Sequence, residues 1–130
     1  MKKTDIPLLF GFAAVYDGLL GIAFLLFPLQ VFNLFGVARP NHLGYIQFPA
    51  LVLLIFAVMF IQIAADPKVY RDLIPYGIMF KAAYCLVVFG WWLYANIPYM
   101  WKPFAVADLV FLILFARAYA EVSREETSSA

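Results

Sequence analysis

Four long apolar stretches separated by short polar segments account for most of this 130-residue chain, and they leave its fold little freedom. They run approximately over 6–29, 43–65, 72–96 and 99–122. A bilayer core of about 30 Å is crossed by about 20 helical residues rising 1.5 Å each, so every stretch is long enough to span it. The connections "QVFNLFGVARPNH", "DPKVYR" and "NIP" are long enough only to reverse the chain. The expectation is therefore all-α: an integral membrane four-helix bundle of antiparallel hairpins running up-down-up-down. Pro7, Pro75 and Pro103 suit first turns, and Pro28, Pro67 and Pro98 suit helix ends. Pro49 alone falls inside a span, where it either kinks the helix or marks its true first turn.

Composition excludes several classes. Hydrophobic residues make up 66% and charged residues 13%, far from the balance of soluble domains. A net charge of +1 with no basic cluster gives no nucleic-acid footprint. One cysteine, Cys85, and one histidine, His42, supply neither a disulfide nor a metal ligand set, so no metal and no cofactor are expected. The basic start followed by so long an apolar run reads as a retained helix rather than a signal peptide. A single domain covers 1–122, and 123–130, "SREETSSA", is expected to be a frayed polar tail in the cytoplasm.

Lys2, Lys3, Lys68, Arg71 and Arg124 fall on one side, with Arg117 near it, against Arg39 and Lys102 on the other. Basic loops stay cytoplasmic, so both termini should lie inside a multi-pass protein of the cell inner membrane. Trp91, Trp92, Tyr94, Tyr99 and Trp101 form an aromatic belt at the outer boundary, and a lipid or quinone pocket beneath Trp91 and Trp92 is one expectation there.

Polar residues inside the spans carry the functional argument. Gly11, Ala14, Gly18 and Gly21 recur at helical spacing and make a small-residue seam for close helix packing. Asp17 lies near the middle of the first span, about 40° around the helix from Gly21, so it should point into the bundle. A charge at that depth costs at least about 2.5–3.5 kcal/mol, which calls for a partner, water or a proton. Lys81 in the third span and Asp108 in the fourth are the available companions. Two versions follow. Either Asp17 and Lys81 pair as a structural lock, with Asp108 a second acceptor or a titrating group, or Lys81 faces a wet crevice and the aspartates exchange protons.

Tyr16 and Tyr84 either complete the hydrogen bonds of this cluster or pack as aromatics with hydroxyls satisfied elsewhere. Cys85 reads as a packing residue, Gln47 and Gln62 as groups reaching headgroups or backbone, and Arg117 with Glu121 as an interfacial ion pair. "PLLFGFAAVY" and "PYGIMFKAAY" echo one another as if the two hairpins were a parallel repeat. No catalytic triad, phosphate loop or pair of catalytic carboxylates can be assembled, so no enzyme is expected.

The segment "YDGLLGIAFLLFPLQVFNLFGV", followed by a second span, resembles the small bacterial DoxX-like membrane families, where a glycine-rich first helix ends in Pro and an "LFG" turn. That resemblance implies an accessory subunit or a small membrane protein linked in some members to quinone-dependent oxidoreductases, and transfers no catalytic residue. The leading functional expectation is thus a non-enzymatic accessory or assembly subunit, in contact with the lipid bilayer and with a protein partner or a second copy of itself. The alternatives are a small proton-coupled transporter acting as a dimer, and a protein binding a quinone, lipid or other lipophilic small molecule.

Overall fold

The computed structural model describes residues 1–129, with side chains described through Arg124. Five α-helices follow one another: α1 (Asp5–Leu26), α2 (Pro28–Leu34), α3 (Gly44–Ala65), α4 (Ile74–Tyr94) and α5 (Lys102–Ser129). Single 3-10 turns, Arg71–Leu73 and Tyr99–Trp101, lead into α4 and α5. Four helical segments are long and apolar enough to cross a membrane: Asp5–Leu26, Gly44–Ala65, Arg71–Tyr94 and Tyr99–Arg124. The four-helix bundle and its alternating direction are as the apolar runs predict.

Two boundaries differ from the sequence expectation. The first span stops at Leu26, not at 29, because Pro28 forces Phe27 out of helical geometry, to φ −129° and ψ 45°. Pro28 then opens α2, so the segment expected as a plain loop contains a further helix. The "LFG" turn closes it: Gly36 sits at φ +66°, its N–H bonds to Asn33 O and the Val37 N–H to Phe32 O. This is a Schellman cap, which requires a left-handed residue that glycine provides. At the other end of the chain α5 extends through 123–129, the segment expected as a polar tail, and Ala130 lies outside the described residues.

The remaining connections obey their local chemistry. Pro67 holds Asp66 extended, and the Asp66 carboxylate accepts the Val69 N–H. His42 Nδ1 accepts the Gly44 N–H at 2.9 Å, so the histidine caps the start of α3. Pro49 lies within α3 and is not its first turn.

The helices pack as two close hairpins, α1 with α3 and α4 with α5, which meet mainly through long side chains. Close approach of α1 to α3 depends on small residues: a Cβ at Gly21 would lie 2.9 Å from the Ala50 carbonyl oxygen, and one at Gly18 would lie 3.7 Å from the Ala57 Cβ. Ala14 is buried in the same interface region, whereas a Cβ at Gly11 would meet nothing within 4 Å. Gly11 therefore takes no part in the contact between α1 and α3.

Two apolar clusters fill the bundle at different levels. Near the chain termini, Phe10, Phe60 and Phe115 interlock, with Phe10 stacked on Phe115 at 4.6 Å between centroids. At the far end Phe24 stacks on Trp101 at 5.9 Å and meets Phe32 of α2 edge-on. Leu8, Phe12, Val15, Leu19, Ile22 and Leu26 project from α1 at alternating spacings of four and three, an exposed apolar stripe suited to acyl chains.

Candidate functional site

Between the two aromatic clusters lies the charge cluster, built from three different helices. Lys81 comes inward from α4 and is fully buried, while Asp17 of α1 and Asp108 of α5 are 1% and 7% exposed. The Lys81 ammonium donates to Asp17 Oδ1 at 2.8 Å, to Asp17 Oδ2 at 3.0 Å and to Asp108 Oδ1 at 3.0 Å. One ammonium is thus shared by two carboxylates, gripping both oxygens of Asp17 and one of Asp108. Because α1 and α4 belong to different hairpins, this one nitrogen ties the two hairpins together.

Aromatic faces surround the same nitrogen. The ring centroids of Phe111, Tyr16, Phe80 and Phe60 lie 5.1, 5.3, 5.6 and 5.9 Å away. Each ring presents a negative face to the cation in a setting from which water is largely removed, where such contacts are strongest. Gly77, one turn before Lys81, leaves room for this packing, since a Cβ there would sit 2.8 Å from Phe60.

Neither Tyr16 nor Tyr84 hydrogen-bonds to the charge cluster, and both pack beside it. Tyr16 contributes its ring to the cage while its buried hydroxyl makes no hydrogen bond among the described residues. Tyr84 turns its hydroxyl to the Trp101 carbonyl at 3.1 Å, which ties α4 to the turn before α5. Cys85 packs where expected and places its thiol 3.6 Å from the Ala105 carbonyl oxygen. Glu121 pairs with Arg124, not with Arg117.

A crevice of about 550 Å³ descends from the far end to this cluster. Its walls include Phe48, Pro49, Val52 and Leu53 of α3 and Phe80, Ala83, Tyr84 and Val87 of α4. Phe24, Trp101 and Phe104 close its back, and Asp17 and Asp108 are its charged lining residues. Beyond its floor Phe56 stacks on Phe80 at 3.9 Å and seals α3 against α4. Phe80 therefore serves both the cation cage and the crevice wall.

Trp91 and Trp92 do not line this space. Trp91 borders a shallower groove of about 300 Å³ with Leu86, Val87, Gly90 and Tyr94, while Trp92 stacks on Phe89 and receives the Lys102 ammonium 4.7 Å from its centroid. Trp101, assigned to the boundary belt from sequence, is the tryptophan that reaches inward. Its turn folds back over Phe24 and Phe32, a placement that depends on α2. No group of three or more His, Cys, Asp or Glu side chains suited to a metal occurs among the described residues.

Comparison of the chain with protein-family models, with curated proteins and with solved structures finds no significant match in any of the three. Function must therefore be argued from the geometry of the crevice and its floor.

Proposed function

We propose that this chain is a small binding protein of the membrane, which admits a lipophilic molecule sideways from the bilayer into the crevice between α3 and α4. The supporting observation is the crevice itself: apolar and aromatic walls lead to two buried carboxylates, the combination that suits a ligand with an apolar body and one polar end. The Asp17, Lys81 and Asp108 cluster acts as a lock that fixes the register of the two hairpins and leaves the crevice open above it. Lys2, Lys3, Lys68, Arg71 and Arg124 favour cytoplasmic termini, which opens the crevice to the outer leaflet of the cell inner membrane.

A variant that fills the crevice tests this. Ala83→Trp, on the α4 wall, should deplete any lipophilic molecule that co-purifies with the protein through detergent washing, as measured by mass spectrometry of the organic extract. Equal retention by wild type and variant would overturn the proposal.

A second activity, proton-coupled transport by a dimer, draws on the charge count, because two carboxylates face one ammonium and one proton completes neutrality. Uptake into liposomes that follows a pH gradient and vanishes in Asp108→Asn supports it, and uptake indifferent to that change rejects it. An accessory role beside a larger complex, as the DoxX-like resemblance implies, is compatible with ligand binding. Co-purification with such a complex at fixed stoichiometry supports that role, and a partnerless monomer opposes it.

A further inference from the structure

We propose that the crevice selects a lipophilic monocation, an alkylammonium with an apolar body, and that Asp108 rather than Asp17 receives its charged head. This rests on the crevice being a binding site. Two features of the floor carry it.

The first is charge. Lys81 is the only cation of the cluster and two carboxylates bind it, so the ionised site holds one negative charge in excess. An anionic ligand would add to that excess and a neutral one would leave it uncompensated. A monocation balances it in a medium where an unbalanced charge is costly.

The second is the unequal use of the two carboxylates. Lys81 grips both oxygens of Asp17, whose side chain is 1% exposed. It reaches only Oδ1 of Asp108, whose side chain is 10% exposed and lines the crevice. No hydrogen bond to Asp108 Oδ2 occurs among the described residues: Lys81 takes the other oxygen, Tyr84 bonds to Trp101, and the buried Tyr16 hydroxyl makes no hydrogen bond to it. An acceptor oxygen thus stands open at the end of an apolar passage. The aromatic lining, Phe80, Phe104 and Trp101, suits the passage of a cation better than that of an anion.

Trp101 reports on occupancy. In a Trp91→Phe, Trp92→Phe protein it is the sole tryptophan, and its fluorescence in zwitterionic nanodiscs can be quenched by a bromoalkylammonium or by a bromoalkanol of equal chain length. The ammonium should quench saturably at a concentration lower by about tenfold or more, because both heads can donate to Asp108 but only the ammonium also balances the excess charge. Asp108→Asn, which keeps an oxygen for Lys81, should remove that preference and bring the two probes within about twofold of one another. Equal quenching by both probes in the wild-type background overturns the cation preference while the crevice stands. A preference that survives Asp108→Asn overturns the role of Asp108. Absence of saturable quenching by either probe refutes the binding site itself, and this inference with it.

Discussion

Replacing Lys81 by methionine removes the only positive charge from a buried site and leaves two carboxylates facing one another. Each places an oxygen within 3.0 Å of the same nitrogen, so those oxygens lie at most about 6 Å apart. Two unit charges at that distance repel by about 3 kcal/mol at an effective dielectric constant of about 20. Removing one partner of a buried ion pair costs about 3–5 kcal/mol, and the loss in Lys81→Met should fall in that range. Methionine keeps most of the side-chain length against Phe60, Phe80 and Phe111, so the loss is electrostatic rather than a cavity.

The companion variants follow the hydrogen bonds. Asp108→Asn leaves the twofold Lys81–Asp17 contact in charge balance and should cost about 1 kcal/mol. Asp17→Leu removes two bonds but leaves Lys81 with Asp108, for an intermediate loss of about 2–3 kcal/mol. The triple change Asp17→Leu, Lys81→Met, Asp108→Leu removes every charge and should recover most of the stability. Reversible unfolding in mixed detergent–dodecyl sulfate micelles, followed by circular dichroism, measures all four. A Lys81→Met protein within about 1 kcal/mol of wild type, or a triple variant no more stable than it, would refute the reasoning.

The same unfolding assay checks the packing. Gly21→Ala forces a methyl against the Ala50 carbonyl and should cost about 1–3 kcal/mol, whereas Gly11→Ala should change stability by less than about 0.5 kcal/mol. Gly36→Ala places a side chain at φ +66° and should cost about 1–2 kcal/mol through the α2 cap. Tyr84→Phe should lose about 1 kcal/mol with its bond to Trp101, and equal stability would show that bond to be of no consequence. In a Cys85→Ala background, an impermeant maleimide added to intact spheroplasts should label Asn41→Cys and spare Lys68→Cys. The reverse pattern would invert the proposed orientation.

Charges inside apolar runs were the most legible part of the site, because Asp17, Lys81 and Asp108 have no low-energy place except one another's company. The spans were legible for a related reason: length and hydropathy alone set them. Much else was not. Helices apolar on every side offer no contrast between core and lipid, so nothing in the sequence distinguishes Phe60, Phe80 and Phe111, which cage the lysine, from Phe12, which faces outward. Trp101 was read with the boundary belt because its inward turn depends on Phe32, and Phe32 on a helix that only the Phe27–Pro28 break creates. That break had a signal in the rule that a residue before proline leaves helical geometry. The hydroxyl partner of Tyr84 had none, since it is a backbone carbonyl 17 residues away.

The central claim is that a single ammonium bridges carboxylates from both hairpins at the base of the crevice. Solid-state NMR dipolar recoupling between Lys81 15Nζ and the 13Cγ of Asp17 and Asp108, in protein reconstituted in bilayers, measures this directly. Both carboxyl carbons should show couplings consistent with oxygen–nitrogen contacts of 2.8–3.0 Å. Strong coupling to only one aspartate, or to neither, would contradict the account.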